Sequence, residues 1–187
     1  GRVLAIAGHA STSACRVVML DGDGILVGQY WQRGHLHAMS RWDVDGDGSD
    51  EVVLSGTENV RDSACVIILD PREALPPGAP GGRTLRPMIA VYIPGNAAML
   101  RAEARPYAID ARPAGAELEI NVEFDGAGLF YVMDRRLRVR VACSDAMRAL
   151  LESRGLDDPD IAALFASEGA EALAGQVTIV RRPRSEG

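Results

Sequence analysis

Nine consecutive residues carry the most readable chemistry of the chain: Asp43-Val44-Asp45-Gly46-Asp47-Gly48-Ser49-Asp50-Glu51. Acidic side chains stand at the first, third, fifth and ninth positions, as Asp43, Asp45, Asp47 and Glu51. A hard cation such as calcium takes about six to eight oxygen ligands, so a short loop must turn several carboxylates inward at alternate positions. Gly48, the sixth residue, permits the sharp turn, and Ser49, the seventh, can offer its backbone carbonyl. The pattern therefore reads as a calcium loop, with an acidic turn that never fills with metal as the alternative. An EF-hand shares the opening but requires a glutamate at its twelfth position and a helix on either side. Here the twelfth residue is Leu54, and the flank Val52-Val53-Leu54 is strand-forming. The loop is expected to run straight into a β-strand.

Other reactive side chains are sparser. His35 and His37 precede the loop and would share one face of a strand. With His9 they raise a second hypothesis, a metal-dependent hydrolase, although no spacing fixes a third ligand. Trp31 and Trp42 read as core residues, with a sugar or peptide groove as the alternative. Cys15, Cys65 and Cys143 lack the spacing of a zinc or redox site and read as buried small residues, with a Cys15–Cys65 disulfide left open. Arg135, Arg136, Arg138 and Arg140 read as a solvated strand face, with phosphate or carboxylate binding as the alternative. No nucleophile elbow, zinc-protease helix or phosphate-binding glycine loop is present.

The elements that must position these residues begin with a repeat. Leu4-Ala5-Ile6-Ala7-Gly8 matches Val52-Val53-Leu54-Ser55-Gly56 at an offset of 48. Val17-Val18-Met19-Leu20-Asp21 matches Val66-Ile67-Ile68-Leu69-Asp70 at an offset of 49, and Ser13-Ala14-Cys15 matches Ser63-Ala64-Cys65 at 50. Each copy is an apolar run closed by glycine, a polar loop and a second apolar strand ending at aspartate. A period near 50 residues falls in the range of propeller blades and similar stacked β-units. Gly1 aligns with Ser49, so the chain is expected to start inside a repeat unit of a longer array.

The acidic loop, the strand after it and the repeat around it together resemble the FG-GAP or VCBS repeats of integrin-α-type β-propellers, over about residues 1–75. The resemblance implies calcium held by Asp43, Asp45, Asp47 and Glu51 with the Ser49 carbonyl. It also implies a non-enzymatic module that recognises protein or carbohydrate through its loops. The chain departs from that pattern in placing Glu51 where aspartate is usual, in lacking the sequence FG-GAP, and in having Val3 where the first copy would need an acid. The whole layout is similar to tails carried by some bacterial signalling proteins, which implies further domains of a parent signalling or surface protein. An extracytoplasmic setting, where calcium is abundant, would suit such a loop.

Residues 76–83, rich in proline and glycine, read as a linker between the repeat region of 1–75 and a β-rich region of 84–187. Strands are expected near 86–93, 98–110, 117–124, 129–133, 136–142 and 176–181. Glu117–Phe124 alternates polar and apolar side chains throughout. Two short helices are expected between, one capped by Ser144 and closed by Gly155, the other capped by Asp158 with Pro159 at its first position. The fold class is thus mainly β: propeller-blade-like antiparallel repeats, then a β-rich α+β closing region. A net charge of −6 disfavours nucleic acid as a partner. No apolar run reaches the roughly 18 residues that span a bilayer.

Overall fold

The two copies of the repeat fold as the same hairpin. In a computed structural model, which describes residues 4–9, 14–61, 63–74, 82–94, 108–124, 127–143, 149, 152–153, 155 and 174–183, β1 (Leu4–His9) pairs antiparallel with β2 (Cys15–Leu20). Further along, β5 (Glu51–Glu58) pairs with β6 (Ser63–Leu69). Leu4 faces Leu20 where Val52 faces Leu69, and His9 faces Cys15 where Thr57 faces Ala64. The offsets of 48 and 49 therefore describe one register. The offset of 50 does not survive: Cys15 is structurally equivalent to Ala64, one residue short of Cys65.

Three sheets result. β1 and β2 continue into β3 (Leu26–Gln32), with β7 (Arg83–Thr84) added parallel at its edge. β4 (Leu36–Trp42), β5, β6 and β8 (Ile89–Pro94) form a meander edged by β13 (Thr178–Arg181). β9 (Ala108–Ala114), β10 (Glu117–Phe124), β11 (Ala127–Asp134) and β12 (Val139–Cys143) form the third sheet. All ladders except β3–β7 are antiparallel. Strand content confirms the mainly β class, but the expected propeller does not appear as a closed ring: separate sheets of four, five and four strands stack face to face. β7 pairs with β3 and β8 with β6, and residues 76–81 of the expected linker lie outside the described residues.

The five-stranded sheet is the middle layer. One face of it, through Trp42, Val53, Val66 and Val91, packs on Leu118, Ile120, Tyr131 and Met133 of the third sheet. The other face, through Leu54, Cys65, Ile67 and Leu69, packs on Val17, Met19 and Val27 of the first. Every residue of β6 is buried, so its apolar run is unbroken where an outer strand would alternate. Hydroxyls tie the middle and third sheets as well: Ser40 donates to the Ala111 carbonyl (3.0 Å) and Ser55 to that of Ile109 (3.4 Å). The Trp42 indole N–H donates to the Gly115 carbonyl (3.2 Å).

Two of the hairpin turns have one hydrogen-bond plan. Asp21, between β2 and β3, accepts the Asp23 and Ile25 N–H groups on Oδ1, while its own N–H and carbonyl bond to the Ile25 carbonyl and the Gly24 N–H. Asp134, the last residue of β11, does the same with Arg136, Arg138, Arg138 and Leu137 at the turn into β12. The fourth residue is left-handed in both, at φ 78° for Gly24 and 64° for Leu137.

The two expected helices are not borne out. Of the first, only Ala149, Glu152, Ser153 and Gly155 are described; the second, from Asp158, lies outside the described residues. Residues 98–107 of the expected 98–110 strand also lie outside them, and β9 begins at Ala108. Among the described residues no helix is long and apolar enough to cross a membrane.

Candidate metal centre

The acidic loop joins β4 to β5, and its ends are fixed by the Trp42–Glu51 pair at the mouth of that ladder. Val44 is buried in the core and pins the loop to the sheet stack. Asp43 organises the backbone: its Oδ1 accepts the N–H groups of Gly46 (2.7 Å) and Asp47 (3.0 Å), and its Oδ2 accepts that of Gly48 (3.2 Å). Such closure needs left-handed residues, and Gly46 and Gly48 supply them at φ 78° and 85°. Glu51, fully buried, accepts the Val44 N–H on Oε2 (3.0 Å).

Carboxylate oxygens of Asp43, Asp45 and Glu51 lie within 4.8 Å of one another. Three of the four expected acidic ligands thus converge, in an arrangement suited to a hard cation. The fourth acid, Asp47, stands outside that group. Asp47 pairs with Arg72, and Ser49 uses its N–H to donate to Asp47 Oδ1 (2.9 Å).

Arg72 is the member of this ion cluster that sequence reasoning missed. It begins just past β6, in a 3-10 turn at Pro71–Ala74, and is held by Asp70 through Nε (2.8 Å) and Nη2 (3.0 Å). From there it reaches Glu51 Oε1 (3.0 Å), Asp47, and Asp45 Oδ2 (3.8 Å). Arg135, on the β11–β12 turn, approaches Asp43 Oδ2 at 3.5 Å. Five carboxyl groups therefore face two guanidiniums. A sequence signal existed: the first copy of the repeat ends Asp21-Gly22-Asp23, whereas the second ends Asp70-Pro71-Arg72.

The electrostatics follow from these contacts. The Arg72 hydrogen bond, backed by the Ser49 N–H, holds Asp47 below the ordinary aspartate range. Burial pushes Glu51 up, outweighing the Val44 N–H and the Arg72 charge. Asp70 and Asp47 raise Arg72 further above its already high value. A cation beside Glu51 would favour its ionised form.

The remaining sequence candidates separate. His37 is the extra residue at a bulge in the β4–β5 ladder, between Leu36 and Ala38, and is exposed. His35 lies ahead of β4, its carbonyl accepting the Thr57 N–H (2.8 Å). A Cβ on Gly56 would stand 1.9 Å from that carbonyl oxygen, so the bulge requires glycine there. Among the described residues, His35 and His37 join no group of three converging metal-ligating side chains, and the His9 side chain lies outside them. Trp42 is core, but Trp31 is half exposed, with the Arg16 guanidinium 5.5 Å above its ring. Cys15 and Cys65 are free thiols, the first donating to the Gly8 carbonyl and the second meeting the Gln32 amide at 3.4 Å.

No family model matches this chain, and neither a curated protein nor a solved structure does.

Proposed function

We propose that the chain is a non-enzymatic β-repeat module for recognition of a protein or carbohydrate, its β4–β5 loop stiffened by calcium. One observation carries the reading: the convergence of Asp43, Asp45 and Glu51 oxygens within 4.8 Å. The placement of Glu51 supports it, since a fully buried side chain brings a carboxylate oxygen to the same point as Asp43 and Asp45. The likeness of residues 1–75 to FG-GAP or VCBS repeats supports it too, as does the register shared by the two hairpins. Bound calcium would supply charge neutralisation and a cross-link between the two ends of the loop. Asp43 holds the loop backbone in shape, Val44 anchors it to the core, and Asp45 and Glu51 offer the remaining carboxylates.

A second reading is favoured by Arg72. In it the loop is an internal ion network, with the Arg72 and Arg135 guanidiniums as the cations that its carboxylates meet.

Thermal unfolding with EDTA, with calcium and with magnesium, repeated on Asp45→Ala, tests the first reading. A ligand confined to the folded state at a hundredfold excess over its Kd stabilises by about 2.7 kcal/mol. The expected result is a calcium-specific rise of several degrees in Tm that disappears in the variant. Identical Tm values in all three conditions, with a large loss in Arg72→Gln, would replace it with the second reading.

A further inference from the structure

A cavity of about 280 Å3 lies beside the acidic loop, where the β11–β12 turn meets the start of β8 and the end of β13. Four arginines line it: Arg135 and Arg136 from the turn, Arg181 at the end of β13 and Arg182 just past it. The opposite character comes from Val44, Met88 and Leu137, which give it an apolar wall. Asp45 also lines it, the one carboxyl among the lining side chains, and lies 3.8 Å from Arg72.

The arginine cluster read from the sequence therefore divides. Arg138 pairs with Asp134 and Arg140 with Glu117 (3.1 Å), as a solvated face should. Arg135 and Arg136 instead join two arginines about 45 residues further along the chain. Arg135 is engaged by Asp43 and Arg182 by Glu73. Among the described residues, no carboxylate forms an ion pair with Arg136 or Arg181, although Asp45 lines the same cavity. The positions are fixed by backbone: Arg181 faces Ile89 in the β8–β13 ladder, and the Arg182 N–H donates to the Met88 carbonyl (3.0 Å). Like charges gathered around one hollow repel, and an anion between them relieves that repulsion. The planar guanidinium fork matches carboxylate and phosphate oxygens.

The backbone supplies an independent observation. Leu137 is the one non-glycine residue with positive φ among those described. A side chain in that conformation costs about 1–2 kcal/mol, and the equivalent position in the β2–β3 turn is Gly24. Leucine is not there for the turn. Its side chain packs against the core cluster and forms part of the cavity wall. Strain of this kind collects where a binding surface must be held in place.

We propose that this cavity binds a small ligand with an oxyanion, carboxylate or phosphate, on an apolar body. Arg136 and Arg181 take the anion, and the Val44–Met88–Leu137 wall takes the apolar portion. The cavity shares Val44 and Asp45 with the acidic loop, but Arg136 and Arg181 lie outside that loop, so the proposal stands whether or not calcium binds. Calorimetric titration of the chain with phenyl phosphate, benzoate and inorganic phosphate tests it. One of the two aryl anions should saturate a single site, and which one binds more tightly identifies the anion. Inorganic phosphate should bind at least tenfold more weakly than that aryl anion. Arg136→Gln combined with Arg181→Gln should weaken aryl binding at least tenfold, and Arg181→Gln alone should weaken it by less. Arg140→Gln, whose native residue pairs with Glu117, should leave it within twofold. No saturable binding of either aryl anion overturns the proposal. So does equal affinity in the double variant, or inorganic phosphate binding as tightly as the aryl anions.

Discussion

The turns at Asp21–Ile25 and Asp134–Arg138 share their backbone hydrogen bonds but, after the aspartate, no residue type. Each uses an aspartate to collect two N–H groups and closes with a left-handed fourth residue. The first fills that position with Gly24, around which an added Cβ would meet nothing within 4 Å. The second fills it with Leu137, in a conformation that glycine adopts freely and leucine does not. The β2–β3 turn is therefore a connection whose residues satisfy local geometry alone. The β11–β12 turn accepts a local cost to set an apolar side chain and two arginines against the end of the middle sheet.

Removing the shared aspartates should give the largest effect. Asp134→Ala and Asp21→Ala each delete a carboxylate that accepts two backbone N–H bonds, and each should cost about 1–2 kcal/mol in denaturant unfolding. Only Asp134→Ala should also weaken phenyl phosphate or benzoate binding. Equal loss of binding in both variants would show that the two turns do not differ in role.

Exchanging the fourth residue is a smaller and sharper perturbation. Gly24→Leu should lower stability by about 1 kcal/mol, the conformational cost with no packing to offset it. Leu137→Gly relieves that cost but removes a half-buried side chain from the core cluster, so its net change should stay within about 1 kcal/mol. If Gly24→Leu unfolds like the unaltered chain, Leu137 is under no strain and the contrast between the turns collapses.

The smallest effect is on acid stability. The backbone N–H of Arg138, with the Arg138 side chain, holds Asp134 below the ordinary aspartate range. A carboxyl depressed in the folded state adds stability that is present above its unfolded pKa and lost as the pH falls through its folded one. The difference in Tm between the unaltered chain and Asp134→Asn should therefore be full at neutral pH and shrink only in strong acid. A difference that is constant across the acid range would mean that the carboxylate charge does not support the turn.

Much of the fold was legible because each strand's environment is written in its own residues. Glu117–Phe124 alternates, and Leu118, Ile120 and Val122 are buried as that alternation requires. Ala64–Leu69 is unbroken, and its strand is buried on both faces. The repeat offsets of 48 and 49 became one hairpin register, while the Ser-Ala-Cys match slipped by a residue because short motifs weigh little against a ladder of hydrogen bonds. What the residues did not disclose were contacts made at long range. The break in the repeat at Arg72 marks that residue but does not say that it reaches back to Asp47 and Glu51, and nothing around Arg136 says that Arg181 lines the same cavity. Leu137 was hidden differently: leucine is a strand and core residue, and sequence patterns assign left-handed positions to glycine or asparagine. Within the acidic loop, the spacing located Asp43, Asp45 and Glu51, whereas Asp47 is diverted by a partner 25 residues away.

The middle sheet also contains its own clock. Cys65 sits in β6, hydrogen-bonded along both edges and covered on both faces, and burial pushes its thiol up to about 12. Thiol reagents attack the thiolate, which is scarce in such a group at neutral pH. Modification of Cys65 must therefore wait for the stack to part, and its rate counts those openings. Cys15, on the outer sheet, counts departures of the first hairpin instead. Timing the two thiols in one chain would tell whether the layers of this protein separate one at a time or all together.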